Sequence, residues 1–427
     1  MRQRFLAYLL ISVVFGSVCR AEFQVNTHTA GEQKNVDIAV DSLGSLVVVW
    51  SSYLQDGSSN GVFAQRFDPN FSPAGEESPV NTTTVGNQTE AAVAMDAEGN
   101  FVIAWHGPGL SEQDREDIFA RRFDPNGGAL GDEFGVNSFT VDSQLYPSVA
   151  MNNDGTFAVV WESVNFGAEG ERAICGQLYD SNGVTLGPEF VVNAEPSVCR
   201  YPDLAADANG NFGVVWLDDA GSNSIMVRLF DPNGLPRAES FQVNTLGFGS
   251  VTRPSIAMDS AGYFVVTWDG DPNLAALDDI HARVYEPNGA PLGDQFLVNA
   301  TIEGPQGYPQ VAMSERAEFV IVWESRVDPN VNERDIFARR FNNFGEPLGD
   351  ESQVNTYTEG DQRYPVVALA EDGRFVTAWQ SYAQDGSSYG IFAETGQMID
   401  SADLSDDGSV DLHDYRVLAE QWFTRSD

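Results

Sequence analysis

The stretch of this chain best furnished for chemistry lies near its end: DLSDDGSVDLHD, Asp403–Asp414. Oxygen-bearing side chains stand at alternate places, Asp403, Ser405, Asp407, Ser409 and Asp411, and the run closes on Asp414. A hard cation such as calcium takes six to eight oxygens from a tightly curled loop of about twelve residues, and a glycine at the sixth place permits the sharp turn. Gly408 stands there. Ser409 would offer its backbone carbonyl and Asp411 would act through water. Asp414 is shorter than the glutamate usual at the last place, which predicts modest affinity. Calcium is the cofactor these residues imply. Beyond the loop, Leu412, Tyr415, Leu418, Ala419 and Trp422 recur at helical spacing, so a short helix should follow.

Other chemistry finds less support, and no catalytic residue is assigned. GSSNG (Gly57–Gly61) and GSSYG (Gly386–Gly390) match a nucleophile pattern that requires a strand–turn–helix elbow and a histidine partner. Both precede strands in loops, at equivalent places of a repeat, so they read as loop chemistry. The four histidines, His28, His106, His281 and His413, show no metal-ligand spacing. Glycoside hydrolysis needs two opposed carboxylates at a set separation, which spacing alone cannot pick out of so acidic a chain. Acidic pairs such as Asp218–Asp219 and Asp278–Asp279 fall in loops and read as solvated charge.

The chain has 427 residues, with 23 Lys and Arg against 63 Asp and Glu, a formal charge of −40. Such a polyanion repels phosphate backbones and anionic lipid surfaces, which argues against nucleic acid and membrane partners. With 42% apolar and 11% aromatic residues, it can still build a packed interior. The first residues, MRQRFLAYLLISVVFGSVCRA, join a basic start to a short apolar run and small residues. They read as a signal peptide ending at Ala21, which predicts a secreted or cell-surface protein, extracellular or periplasmic, with no membrane span in the mature chain. Export would allow a disulfide between Cys175 and Cys199, the two cysteines beyond that segment.

The elements that must carry all this are repeats. Trp50, Trp105, Trp161, Trp216, Trp268, Trp323 and Trp379 recur at intervals of 52 to 56 residues, and seven VN pairs, at Asn26, Asn81, Asn137, Asn193, Asn244, Asn299 and Asn355, keep the same beat. DIFARRF occurs twice, at Asp117–Phe123 and Asp335–Phe341. Each unit but the last holds four strand-like runs. The run ending at tryptophan is almost wholly apolar, as in LVVVW and FVIVW, which suits a strand covered on both faces. D-x-x-G turns such as Asp96–Gly99 join the first two strands, and DPNG turns such as Asp124–Gly127 follow the third. The sixth unit has Ser314–Ala317 instead, so its turn is expected to differ.

Seven such units predict an all-β fold: a seven-bladed β-propeller of four-stranded antiparallel blades. One strand, Phe23–Asn26, is spare at the start, and the last unit lacks its fourth strand. The first strand should therefore complete the last blade and leave no open edge. The expected organisation is a signal peptide over 1–21, a propeller over 22–400 and a calcium loop with helix over 401–427. Strand parity places the long, variable loops between second and third strands on one face: His106–Asp117, Glu162–Ala173, Asp269–Asp279 and Glu324–Asp335. That face, near the central channel, is where a ligand would bind.

Two resemblances add to this reading. The loop and helix of the tail resemble half of a type I dockerin, similar to single dockerin-like segments of secreted proteins from planctomycete-type bacteria. That implies attachment or sorting, with a cohesin-like or cell-surface receptor as partner. The repeat units resemble VNT…VVW…DGS…FARRFD repeats of bacterial surface proteins, which implies architecture and little activity. The hairpins faintly resemble the Asp boxes of sialidases, but the Ser-x-Asp opening and Thr-Trp closing are not reproduced as a set, and that activity is not carried over. The expected function is therefore an exported, non-enzymatic propeller binding an extracellular glycan, protein or matrix ligand. The alternatives are a polysaccharide-degrading enzyme, an O-glycosyl hydrolase or lyase, and a structural cell-surface component.

Overall fold

A computed structural model describes residues 22–109, 115–166, 169–193, 197–221, 223–245, 253–271, 278–326 and 333–397. The segment 1–21 expected to be a signal peptide and the run Asp403 to Asp414 expected to bind calcium lie outside the described residues. Seven antiparallel sheets of four strands make up the described chain, a seven-bladed β-propeller. Blade 2 is representative, with strands Thr89–Met95, Phe101–Pro108, Glu116–Phe123 and Phe134–Gly135 in spatial order.

The apolar second strands are sandwiched as their composition predicts. In blade 1, Val48 and Trp50 pack with Ala378 and Ile391 of blade 7. The alternate residues Val47 and Val49 pack with Val93, Ile103 and Trp105 of blade 2. Successive side chains of a strand point to opposite faces, so one apolar run serves two interfaces. All seven repeat tryptophans, Trp50 to Trp379, are fully buried.

The asparagine of each VN pair has a defined task. Its Oδ1 accepts the N–H of an apolar residue opening the buried part of the third strand: Asn81 from Val62, Asn137 from Ile118, Asn193 from Ile174, Asn244 from Ile225, Asn299 from Ile280 and Asn355 from Ile336, all at 2.7–2.8 Å. These N–H groups lie where the short fourth strand has ended, so the side chain stands in for a missing ladder partner. Asn26 does the same for Ile391 at 2.7 Å, across 365 residues. Phe23 and Gln24 pair with Ala393 and Phe392, completing blade 7 from the chain's other end. Glu22 extends the closure, accepting the N–H and hydroxyl of Thr356 at 2.7 and 2.8 Å.

The repeated DIFARRF is a blade-to-blade clamp. Phe119 stacks on Trp105 and Phe123 on Phe101 within the blade. Arg121 reaches back to the Val80 carbonyl at 2.8 Å, and Arg122 reaches forward to the Ser181 carbonyl at 2.6 Å. In the second copy Arg339 reaches back to Val298 at 2.9 Å.

Two sequence expectations meet a different outcome. The Ser314–Ala317 turn keeps the backbone bonds of its counterparts: Ala317 N–H to Ser314 O at 2.9 Å and Ser314 N–H to Glu318 O at 2.8 Å, against 3.1 and 2.9 Å in the Asp41–Gly44 turn. Ala317 takes the left-handed conformation, φ 59°, that glycine adopts elsewhere. The hairpin ladder dictates the turn, and the residue accepts the strain. Cys175 and Cys199 are buried free thiols with no bond between them. Cys175 packs between blades 2 and 3, and Cys199 between blades 3 and 4. Burial pushes both thiols up to about 12.

Candidate functional site at the channel mouth

All but one of the innermost strands carry an irregularity near their start. In six blades the ladder to the second strand shifts register there: Lys34/Asp37, Thr89/Ala92, Leu145/Ser148, Arg200/Asp203, Gly307/Gln310 and Arg363/Val366. A bulge of this kind re-aims a side chain. The residue at each bulge has a left-handed backbone: Asn35, Glu90, Tyr146, Tyr201, Tyr308 and Tyr364, with φ between 51° and 55°. Arg253 holds the same repeat position in blade 5. For a residue with a Cβ this conformation costs about 1–2 kcal/mol, and it persists only where the surroundings enforce it.

The enforcing contact comes from the preceding blade. The residue just after the tryptophan accepts the turned-out N–H: His106 from Tyr146, Glu324 from Tyr364 and Gln380 from Asn35, each at 3.3 Å. In four of the bulges a proline follows at once (Pro147, Pro202, Pro309, Pro365), as it also follows Arg253 in blade 5 (Pro254). The start of each long loop is thus not solvated. His106, Glu162, Asp269 and Glu324 are buried at blade junctions. Burial holds the His106 imidazole down to about 4, so it accepts as a neutral ring.

The six bulge residues and Arg253 line a cavity of about 410 Å³ in the central channel. Its upper layer is aromatic and cationic. Arg253 crosses the bore to Glu90 at 3.1 Å, joining blades 5 and 2, and its guanidinium lies 4.9 and 5.0 Å from the rings of Tyr146 and Tyr201. On the other side Tyr308 and Tyr364 meet edge to face at 4.6 Å, and Arg363 lies 4.8 Å over Tyr364. Lys34, the single lysine of the chain, sits 4.9 Å over Tyr389. The layer beneath carries Asp37 and Asp203, from blades 1 and 4. Asp37 keeps some surface toward the bore, yet the crowded channel strips its solvent and pushes it up to about 7. Burial also raises Asp203, which accepts the Ser148 hydroxyl at 2.9 Å and the Ile256 N–H at 3.0 Å.

Sequence reasoning missed this ring. Its signal was present: Tyr-Pro or Arg-Pro recurs on the tryptophan beat at Tyr146, Tyr201, Arg253, Tyr308 and Tyr364. The acidic loop pairs do not form an opposed carboxylate pair. Asp219 meets Arg200 at 3.6 Å, and Asp279 accepts from the Asn299 amide at 2.7 Å. Ser59 and Ser388, the central serines of the two G-x-S-x-G matches, meet Asn87 at 3.5 Å and Glu32 at 3.3 Å, in strand-to-strand loops.

No protein-family model and no curated protein matches this chain. Solved structures do. A protein of unknown function from Dyadobacter fermentans superposes with a TM-score of 0.53 at 9% identity, over 89% of this chain and 98% of that one. A fungal alcohol oxidase of the AA5 family, in complex with copper, gives 0.54 at 13% identity, over 91% and 78%. A PL25 ulvan lyase bound to a GlcA–Rha3S unit gives 0.52 at 10% identity, over 87% and 94%. At these identities the likeness is one of fold.

Proposed function

We propose that this chain is a secreted or cell-surface glycan-binding propeller, with the channel mouth as its binding site and the Asp403–Asp414 loop as a calcium-binding attachment segment. One observation carries the reading. Four tyrosines and an arginine occupy equivalent ring positions, four of the five in a strained backbone, around a cavity of about 410 Å³. That volume suits a sugar unit or two, since ligand pockets run from about 300 to 1,000 Å³. Tyrosine rings give flat apolar faces for sugar C–H groups and a hydroxyl for hydrogen bonding. The fold is compatible, as the ulvan lyase bound to its GlcA–Rha3S unit illustrates.

Calorimetry against a panel of polysaccharides tests it. Binding should be lost in Tyr308→Ala and Tyr364→Ala variants that keep the parent melting temperature. Undiminished binding in both would remove the channel mouth from consideration.

A second reading, a polysaccharide-cleaving enzyme, is favoured by Asp37 and Asp203, two carboxyl groups of raised pKa in one bore. Release of reducing ends, abolished by Asp37→Asn, would establish it. Binding without turnover favours the first.

A further inference from the structure

One sequence arrangement recurs at two junctions of the ring. Where blades 6 and 7 meet, buried Glu324 pairs with Arg334 at 3.0 Å and with Arg363 through Nε at 3.3 Å and Nη2 at 3.4 Å. Arg363 immediately precedes Tyr364 and lies over its ring. Where blades 3 and 4 meet, buried Glu162 pairs with Arg172, and Arg200 immediately precedes Tyr201. The sequence repeats with it: WES and then ER before the third strand, followed by RYP in the next blade, in both places.

The other junctions do without this set. Blades 1 and 2 meet through Ser51 and Thr89, hydroxyl to hydroxyl at 2.9 Å. Blade packing therefore does not demand the arginines. In a ring of seven, positions three blades apart face each other across the bore. At blades 6 and 7 two guanidinium groups meet one buried carboxylate, whereas at blades 3 and 4 Arg172 meets buried Glu162 and Arg200 turns to Asp219. Arg200 Nε is buried without a hydrogen-bond acceptor among the described residues, its ion partner Asp219 standing at 3.6 Å.

We infer that Arg200–Tyr201 and Arg363–Tyr364 are twin subsites for an acidic sugar unit, so that the ligand is a polysaccharide bearing a carboxylate or sulfate at repeated intervals. This rests on the glycan-binding reading above. A guanidinium fork matches the two oxygens of a carboxylate or sulfate, and the adjoining phenol ring takes the sugar face. The surplus of acid elsewhere, −40 in all, repels a polyanion at long range. Physiological salt screens that repulsion beyond about 8 Å but spares direct contacts. Binding should then strengthen between low and physiological salt.

The test is calorimetry on the mature chain with galacturonate oligomers and their methyl esters, and with dextran sulfate and dextran. The acidic member of a pair should bind about tenfold tighter, the gain expected of a charged hydrogen-bonded pair. Success with galacturonate assigns a carboxylate, and success with dextran sulfate a sulfate. Short acidic oligomers should occupy two sites per chain and long ones a single bridging site. Arg200→Gln should leave one site for short oligomers and remove the advantage of long ones. It is the safer variant, because Arg363→Gln strips a partner from buried Glu324. Equal affinity for acidic and neutral members, or two sites persisting in Arg200→Gln, overturns the inference while leaving glycan binding intact. Failure of every polymer to bind, together with the same failure across the wider panel, overturns the glycan reading itself.

Discussion

Removal of Glu22–Asn26, in a chain shortened to begin at Thr27, attacks the blade whose last strand comes from the far side of the propeller sequence. The deletion strips the outer edge of Tyr389–Gln397, which pairs with Phe23 and Gln24. It removes buried Val25 and the Val25 N–H to Ile391 O bond of 2.8 Å. It leaves the Ile391 N–H without Asn26, takes the Phe23 ring from Phe67 at 5.5 Å, and frees Thr356 from Glu22. Burial of a valine is worth about 1.5–3 kcal/mol and each hydrogen bond about 1 kcal/mol. The loss comes to roughly 5–8 kcal/mol, a large share of the roughly 5–15 kcal/mol that holds an ordinary domain folded. For a chain of this length that is a fall in melting temperature of roughly 10 °C, with an exposed strand edge prone to aggregate. Differential scanning calorimetry and light scattering read both. Asn137→Ala is the control, losing an equivalent cap inside one blade at a cost of about 1–3 kcal/mol. A deletion variant that melts within about 2 °C of the parent, on the scale used above, and stays monodisperse would refute closure as a source of stability.

Three further outcomes are expected. His106 has a folded-state pKa below its unfolded value, so its contribution is complete above about pH 6.5 and is lost as pH falls from there through about 4. Gln380 fills the same place in blade 7, so His106→Gln should keep the bulge and flatten the acid limb of a urea-stability profile; an unchanged limb would assign the titration elsewhere. Ala317→Gly should raise the urea midpoint by up to about 1 kcal/mol of stability, because the left-handed turn position no longer strains a side chain; a lowered midpoint would show that entropy outweighs strain there. Changing Asp403 and Asp407 together to alanine should abolish calorimetric calcium binding by the full chain; an unaltered signal would remove the loop from the proposal.

How much was legible follows from the physics of repetition. Seven tryptophans and seven VN asparagines must meet the same neighbours seven times, so their spacing alone implied like blades in a closed ring, with Phe23–Asn26 as the closing strand. The turn at Ser314–Ala317 misled, because backbone pairing on either side outweighed the residue's own preference. Site chemistry in the sequence was sought in the long loops that begin at residues such as His106, Glu162 and Glu324. Only packing revealed that all three are buried and that His106 and Glu324 reach the next blade.

The sequence by itself determined the number of blades, their strand order and the closing strand, since local pattern and period suffice for those. The tertiary structure alone decided which residues face the bore. A bulge in six of the inner strands turns one residue out of the sheet's alternation, and such a residue can meet a partner half a ring away, as Glu90 meets Arg253. Contacts across 163 residues between unlike blades leave no periodic trace in the chain.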